Sequence, residues 1–186
     1  MYKLVAIDLD GTLLDSYGQV SERNKNAIKQ AHDKGIEIVV TTGRLYNNAA
    51  YFSKLLGVDS PVIAANGAIV IDQKNNEVIY ECGIPKDECI KILKILIKYN
   101  SFFQFNTRNM IYCNNWITKT ATKSYMTKQH FFEHLQVEYE IVKSQECWIN
   151  IFNKEEVDKS IVFTPLKSTM IKIKDEALKR NTKITI

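Results

Sequence analysis

The feature that most constrains the fold of this sequence is a rhythm of short apolar runs and helical stretches near its start. Residues 3–9, 36–40 and 61–65 are apolar runs of strand length, bounded by turn signals. Residues 21–34 and 44–56 between them have helical patterns, each followed by a glycine. This β-α-β-α-β order predicts a parallel sheet with right-handed crossovers. We expect the first strand to be buried on both faces.

The pattern changes after the third strand. Residues 68–82 are typical of a β-hairpin, and Gly83-Ile84-Pro85 is typical of a linker. All seven glycines lie at or before position 83. The sequence therefore predicts two domains, 1–83 and 84–186, of which the second is an α+β module. Its predicted elements are helices near 87–99, 118–135 and 168–180, a hairpin around 107–109, and strands at 147–152, 160–164 and 182–186.

Bulk composition excludes several classes of protein. Hydrophobic residues make up 45% and charged residues 25%, which is ordinary for a globular chain. No apolar run approaches the roughly 20 residues of a membrane helix. A strand pattern begins directly after Met1, without a signal peptide, so we expect a cytoplasmic protein with no membrane partner.

The spacing of the cysteines and the distribution of charge give two further indications about function. The four cysteines lack the C-x-x-C spacing of zinc or redox sites, and we expect them to be small buried apolar residues. Residues 1–83 carry 8 Lys or Arg against 10 Asp or Glu, whereas residues 84–186 carry 17 against 11. A basic second half suits an anionic substrate, although a solvated basic surface explains it as well. No dense basic block indicates nucleic-acid binding.

The segment Asp8-Leu9-Asp10-Gly11-Thr12 ends the first predicted strand. Ligands of parallel α/β sheets bind beyond the carboxyl ends of the strands. Strand alternation would point the side chains of Asp8 and Asp10 the same way, and two carboxylates form an oxygen-rich site suited to Mg²⁺. An ordinary turn is the alternative, since Asp and Gly are common in turns. Carboxylates that follow a buried strand, however, need a partner or a metal.

Two further polar segments follow the next two strands. Thr41-Thr42-Gly43-Arg44 ends the second strand, and Asn66-Gly67-Ala68 follows the third. By themselves these segments also fit a helix cap and an Asn-Gly turn. Their value lies in the spacing, because each follows a strand that ends at the same edge of the predicted sheet.

Asp8-Leu9-Asp10-Gly11-Thr12 resembles the first signature of the haloacid dehalogenase superfamily, and Leu13-Leu14-Asp15 is similar to its Cof-type sugar-phosphatase branch. The resemblance implies a Rossmann-like α/β core with an inserted α+β cap. It also implies Mg²⁺-dependent phosphomonoester hydrolysis. Asp8 would attack phosphorus and become an aspartyl-phosphate, and Asp10 would act as acid and base. The metal would be held by the Asp8 carboxylate and the Asp10 backbone carbonyl.

The other segments have counterparts in the same resemblance. Thr41-Thr42-Gly43-Arg44 resembles the family's T-G-R element, which implies that Thr42 bonds the phosphoryl group and Gly43 permits its close approach. Arg44 would open the next helix, whose amides favour anions. Asn66 would lie near the phosphate. Residues 84–186 resemble the cap that selects a small phosphorylated metabolite. Cap contacts are not assigned from sequence, and the candidates are Arg108, Trp116 and Lys119.

The sequence departs from the family pattern after the cap. The family has a phosphate-facing Lys and a Gly-Asp element there, whereas this chain has no glycine after position 83. We expect the C-terminal core strands to be absent and the first strand to be an exposed edge that invites pairing into an oligomer. We also expect little or no turnover from this chain alone. A catalytically silent module that binds Mg²⁺ and phosphate is therefore the alternative function.

A short match to the inverted zinc-protease pattern H-x-x-E-H occurs at His130-Phe131-Phe132-Glu133-His134. It places two histidines one helical turn apart but has no evident third ligand. An ordinary helix that packs its two phenylalanines inward explains the same residues.

Overall fold

The computed structural model of the chain describes residues 2–127 and 137–180. These residues divide into two compact units with the boundary between Cys82 and Gly83, and residues 124–127 group with the first unit.

The first unit alternates strands and helices in the predicted order. Its elements are β1 Leu4–Ile7, α1 Glu22–Asp33, β2 Glu37–Val40, α2 Tyr46–Leu55, β3 Val62–Ala64, β4 Ile69–Asp72 and β5 Glu77–Glu81. The Ser21 hydroxyl caps α1 by accepting a hydrogen bond from the Asn24 amide at 3.2 Å. α2 begins after an extended Leu45, so Arg44 lies just outside the helix that it was expected to open.

The strands of the first unit form a parallel part and an antiparallel part. β1 and β2 are parallel, with Ile7 opposite Val40. A parallel bridge between Thr41 and Ile63 extends the pairing from β2 to β3. β3, β4 and β5 are antiparallel neighbours, and β4 and β5 form the predicted hairpin. The α/β architecture with a parallel sheet is therefore confirmed.

One apolar core holds these elements together. α2 contributes Ala49 and Phe52, which are fully buried, and α1 contributes Ile28. The strands contribute Val40 and Val62, also fully buried. Each fully buried valine stabilises the fold by about 1.5–3 kcal/mol relative to a valine exposed to water. The buried side chains of both helices and of the strands thus form one continuous core.

β1 departs from expectation. Leu4 is 55% and Val5 37% exposed, so the prediction of a strand buried on both faces is wrong for the part of the chain that the structure describes. The physical reason is that β1 pairs there with β2 alone, which leaves its other edge open.

The second unit is an α+β structure with its own core. Its elements are α3 Lys86–Lys98, β6 Phe102–Asn106, β7 Met110–Cys113, α4 Trp116–Thr127, β8 Glu138–Ile141, α5 Gln145–Lys154, β9 Lys159–Phe163 and α6 Lys167–Lys179. The sheet has the order β8-β7-β6-β9, in which only β7 and β8 are parallel. The core of this unit is aromatic, with the rings of Phe105 and Trp148 5.3 Å apart between centroids.

One predicted strand of the second unit is a helix. Residues 147–152 lie in α5, whose first turn is capped by the Ser144 hydroxyl. Trp148 and Phe152, four residues apart, are both buried, which is the spacing of one helix face. The run of apolar and β-branched residues suggested a strand, and tertiary packing overrides that preference. β8 was not predicted.

Three predictions fall wholly or partly on residues outside the described ranges. They are the strand at 182–186, the histidine pattern at 130–134 and the end of the helix predicted over 118–135.

The cysteines differ in their burial, and the helices are short. Cys89 and Cys113 are buried as expected, whereas Cys82 and Cys147 are exposed, so the prediction of buried cysteines holds for half of them. Within residues 2–127 and 137–180, no helix is long and apolar enough to cross a membrane. A cytoplasmic location stays a prediction.

Candidate active site

The first three strands end at a common edge. The amide of Thr41 donates to the carbonyl of Ile7 at 2.9 Å, and the amide of Thr42 donates to the carbonyl of Ile63 at 3.0 Å. Because these strands are parallel and in register, the loops that follow them leave the sheet side by side. The three motifs of the sequence occupy these loops.

Asp8 and Asp10 lie in an irregular turn and not on a continuing strand. β1 ends before Asp8, and the turn that follows is closed by hydrogen bonds from the amides of Leu13 and Leu14 to the carbonyls of Asp8 and Leu9, at 3.2 and 2.9 Å. Gly11 within it has a φ of 72°, a left-handed conformation that glycine adopts at little cost. Strand alternation therefore does not set the directions of the two carboxylates, contrary to the sequence argument.

Burial along this turn separates its anchors from its functional groups. Leu9 is 0% and Leu13 6% exposed, so these leucines fasten the turn to the core. Asp8 and Asp10 are exposed. The carboxylates thus remain solvated and accessible, and the cost of burial that was invoked for them does not arise here.

The chain beyond the turn folds back in a tight loop organised by Asp15. Its Oδ1 accepts hydrogen bonds from the amides of Tyr17 at 2.8 Å and Gln19 at 2.9 Å. An antiparallel bridge between Leu14 and Val20 closes the loop. Asp15 therefore has a structural role, as Asp commonly does when its side chain bonds the backbone two residues on.

The loops after β2 and β3 are tied to each other through their backbones. The amide of Asn66 donates to the carbonyl of Thr42 at 3.1 Å, and the amide of Ala65 donates to the carbonyl of Arg44 at 2.8 Å. The Thr42 side chain is buried, and its Oγ1 accepts a hydrogen bond from the Arg44 amide at 3.3 Å. Two of the predicted site segments are thus brought together.

The loop after β3 has an unusual backbone. Ala65, Asn66 and Gly67 have φ values of 51°, 61° and 90°, all in the left-handed region. Such conformations cost on the order of 1 kcal/mol or more for a residue with a Cβ, and they persist where the surroundings hold them. Here the hydrogen bonds to Thr42 and Arg44 hold the loop. Its Asn66 side chain is exposed at the common edge.

Arg44 was predicted to bind substrate, but its guanidinium contacts Asp10. Nε donates to Asp10 Oδ2 at 2.8 Å, and Nη2 donates to Asp10 Oδ1 at 2.6 Å. This is a two-pronged ion pair between residues 34 apart in sequence. The side chain of Arg44 is 8% exposed and that of Asp10 is 48% exposed. Sequence reasoning missed this pair.

A partial sequence signal for Arg44 does exist. Arg44, Asn48 and Phe52 are spaced by four residues, so they follow one face at the start of α2. Nη1 of Arg44 donates to Asn48 Oδ1 at 3.0 Å, and its Cζ lies 5.3 Å from the centroid of the Phe52 ring. The spacing predicts that the arginine is held by the helix, but nothing in it identifies Asp10 as the partner.

The site offers a small set of donor groups for a metal ion. Across residues 2–127 and 137–180, no group of three or more His, Cys, Asp or Glu is placed to hold a metal ion. The candidate donors are the exposed carboxylate of Asp8 and the backbone carbonyl of Asp10, because the Asp10 carboxylate pairs with Arg44. Both are hard oxygen ligands of the kind that Mg²⁺ accepts together with water.

The cap candidates lie in the second unit. Trp116 is 67% exposed at the start of α4. The ammonium of Lys119 donates to the backbone carbonyl of Tyr139 in β8 at 3.0 Å, which occupies part of its hydrogen-bonding capacity. Arg108 lies in the hairpin between β6 and β7.

Comparison with known proteins identifies the family of this chain. The model of the haloacid dehalogenase-like hydrolase family matches residues 5–184. The chain belongs to this family of hydrolases, and the resemblance noted in the sequence is confirmed.

Several curated relatives are phosphatases. Phosphatase YwpJ of Bacillus subtilis is 43% identical over 110 residues, which cover 59% of this chain and 38% of YwpJ. The 5-amino-6-(5-phospho-D-ribitylamino)uracil phosphatase YwtE of the same organism is 46% identical over 107 residues, covering 56% of this chain and 36% of YwtE. The matches therefore span less than half of the length of these two relatives.

Solved structures show the same fold. A haloacid dehalogenase-like hydrolase from B. subtilis matches with a TM-score of 0.75 and 26% identity, over 95% of this chain and 66% of the other. One from Bacteroides thetaiotaomicron matches with a TM-score of 0.79 and 19% identity, over 97% and 65%. The second similarity concerns the fold alone.

Proposed function

We propose that this chain carries the phosphoryl-transfer site of a Mg²⁺-dependent phosphomonoester hydrolase. The observation that supports it most directly is the exposed pair Asp8 and Asp10, in a turn anchored by buried leucines at the edge where three parallel strands end. Thr42 and Asn66 belong to two loops bonded to each other at the same edge. Nucleophile, proton carrier and phosphate-binding groups would thus come from three adjacent loops.

In the first half-reaction a carboxylate oxygen of Asp8 bonds to phosphorus, and the bond between phosphorus and the leaving oxygen breaks. The proton of the Asp10 carboxyl group passes to the leaving oxygen, which departs as an alcohol. Asp8 is then an acyl phosphate and Asp10 a carboxylate. This division replaces one difficult displacement by two easier ones.

In the second half-reaction a water oxygen bonds to phosphorus. The Asp10 carboxylate takes a proton from that water, and the bond from phosphorus to the Asp8 oxygen breaks. Inorganic phosphate leaves, and both residues return to their initial states. Asp10 therefore serves once as an acid and once as a base, each worth roughly 10²–10⁴-fold in rate.

The remaining proposed site residues orient the phosphoryl group. Thr42 would donate its hydroxyl hydrogen, since its oxygen already accepts from the Arg44 amide. Gly43 would let the backbone approach the phosphate, and Asn66 would offer its side-chain amide. When bound between the Asp8 carboxylate and the Asp10 carbonyl, Mg²⁺ would offset repulsion between an anionic nucleophile and an anionic substrate.

The proposed substrates are sugar phosphates or similar small phosphorylated metabolites, with residues 84–186 as the cap that selects them. The name of one relative supports this class. YwtE is named for a phosphoribityl compound, which is a phosphorylated sugar-alcohol derivative. No nucleic acid or membrane partner is part of the proposal, and self-association would use the open edge of β1.

A catalytically silent module that binds Mg²⁺ and phosphate is the second candidate. It is favoured by the small donor set, because the described residues supply two candidate oxygen ligands and no third acid beside them. The two candidates predict the same binding but different turnover.

Phosphate release from a nitrophenyl phosphate, measured with and without Mg²⁺, tests the proposal. The hydrolase predicts Mg²⁺-dependent release from the wild-type chain, in contrast to the little or no turnover expected from the departure of the sequence from the family pattern. It also predicts release at background level from Asp8→Asn, which retains the size of the side chain but removes the nucleophile. Asp33→Asn is the matched control, because Asp33 is an exposed α1 residue paired with Lys29 at 2.9 Å. It should retain full activity.

The outcomes separate the candidates. Loss of activity in Asp8→Asn alone supports the hydrolase. Binding of Mg²⁺ and inorganic phosphate by calorimetry, without any release of product, would favour the silent module. Equal activity of wild type and Asp8→Asn would contradict the assignment of the nucleophile.

A further inference from the structure

Arg44 is fixed at every point along its length. Its amide bonds the Thr42 hydroxyl, and its carbonyl accepts from the Ala65 amide. Its guanidinium bonds Asn48, which is 1% exposed, and lies over the ring of Phe52, which is 0% exposed. An arginine ordered in this way has already lost its rotamer entropy on folding, so it is a preorganised group.

Asp10 is the more exposed partner of the two. It lies in the turn beside Gly11, half of its side chain is exposed, and the core contacts of the turn come from Leu9 and Leu13. The Asp10 carboxylate accepts two hydrogen bonds from the Arg44 guanidinium. Because each of these hydrogen bonds reaches a different oxygen, this two-pronged contact (the fork) fixes both the position and the plane of the carboxyl group.

The fork leaves the carboxyl group able to react. A carboxylate offers about four lone-pair sites, and Arg44 uses one on each oxygen. The other site on each oxygen remains available to carry a proton to a leaving group or to take one from water. The two hydrogen bonds therefore orient the Asp10 carboxyl group without blocking its proton transfer.

We propose that Arg44 is a positioning residue that aims the Asp10 carboxyl group at the leaving oxygen and the attacking water. This inference rests on the proposed hydrolase function, in which Asp10 carries the proton. It differs from the prediction that Arg44 binds substrate, because the partner of its guanidinium is Asp10. It also differs from a purely structural ion pair, which would stabilise the loops without favouring any substrate.

Substrates with different leaving groups distinguish these roles. A nitrophenolate departs without a proton, whereas an aliphatic alkoxide needs one from Asp10 in the transition state. Misplacement of a reacting group by about 1 Å can cost on the order of 10²-fold. We therefore expect Arg44→Gln to slow alcohol release from an aliphatic phosphate, such as glycerol phosphate, by roughly 10²-fold in a single turnover, while slowing single-turnover release of nitrophenolate little. Steady-state hydrolysis of both substrates should fall, because water attack on the acyl phosphate also needs Asp10.

Four further variants make the test specific. In the first turnover Asp10→Asn should show the same selective loss of alcohol release, and the double variant Arg44→Gln/Asp10→Asn should lose no more than Asp10→Asn does, since Arg44 acts through Asp10. Arg44→Lys keeps the charge without the fork and should recover part of the activity. Arg180→Gln is the matched control, because Arg180 pairs with Glu176 at 2.6 Å within α6 and its neighbouring turn.

Each outcome decides the matter. Selective loss of first-turnover alcohol release from the aliphatic substrate, absent in the Asp10→Asn background, supports the positioning role. Equal loss of first-turnover release from both substrates, or a rise in KM alone, overturns it in favour of a structural or a substrate-binding role. Unchanged or faster turnover of the aliphatic substrate overturns it as well. If wild type releases no alcohol even in a single turnover, the proposed hydrolase function fails and this inference fails with it.

Discussion

Phe105 is the centre of the aromatic core of the second unit, and its removal gives a sharp test of that core. Its side chain is fully buried on the inner strand β6. Its ring lies 4.9 Å from that of Phe152, 5.3 Å from that of Trp148 and 6.0 Å from that of Phe103, between centroids. Truncation to alanine would remove all three ring contacts and leave a cavity.

The expected loss of stability follows from the area that the Phe105 ring buries and from its contacts with neighbouring rings. A buried phenylalanine removes about 150 Å² or more from water. At about 25 cal/mol per Å², this burial contributes about 4 kcal/mol. Ring pairs add roughly 0.5 kcal/mol or more each. These contributions sum to about 5–6 kcal/mol, and alanine retains part of the buried area. We therefore expect Phe105→Ala to lower the free energy of unfolding of the second unit by about 4–5 kcal/mol, near the upper end of the usual range for this substitution.

Urea unfolding followed by tryptophan fluorescence measures this change. The chain has two tryptophans, and Trp116 is 67% exposed, so a Trp116→Phe background leaves the buried Trp148 as the reporter of this unit. The matched control is Phe163→Ala at the end of β9, where the ring is 40% exposed. It should cost about 1 kcal/mol or less.

Two results would refute the reasoning. A loss below about 2 kcal/mol for Phe105→Ala would mean that the site relaxes without a cavity or is not packed as described. Equal losses for Phe105→Ala and Phe163→Ala would mean that burial does not distinguish the two positions.

Two further predictions concern titratable groups of the second unit. Hydrogen bonds from Lys98 and then Tyr99 hold the pKa of Glu176 down from an ordinary 4.5 to about 2. A carboxylate whose pKa is lower in the folded state than in the unfolded state stabilises the fold at pH values above the unfolded pKa, and this stabilisation is lost as the pH falls. The free energy of unfolding should therefore fall between about pH 4.5 and 2 more steeply in wild type than in Glu176→Gln. Parallel pH dependence in the two proteins would contradict this. Burial raises the pKa of the Cys89 thiol to about 12 and that of Cys113 to about 11, so in the folded protein at pH 8 a thiol reagent should modify the two exposed cysteines and spare these two. Modification of all four at one rate would show that the core opens.

Local patterns in the sequence determined much of this protein. The alternation of apolar runs and helical stretches predicted the order of the first unit, because 2.0- and 3.6-residue periodicities are properties of neighbouring residues. The caps and glycines placed the helix ends to within about two residues. The motifs after each strand identified Asp8, Asp10, Thr42 and Asn66 as candidates, since parallel strands end at one edge.

Other features were decided by tertiary structure alone. The apolar run in α5 has a composition that suits a strand or a helix, and packing of Trp148 and Phe152 on one face selects the helix. The exposure of Leu4 depends on which strand lies beside β1, and no pattern within β1 carries that information.

The pairing of Arg44 with Asp10 is the clearest case. The two residues are 34 positions apart, and each lies in a motif that has its own local explanation. Only the parallel register of β1 and β2 brings the two loops together, and only the anchoring of Arg44 on α2 turns its donors toward the carboxylate. Sequence patterns report periodicity along the chain, whereas a contact of this kind depends on distance in space.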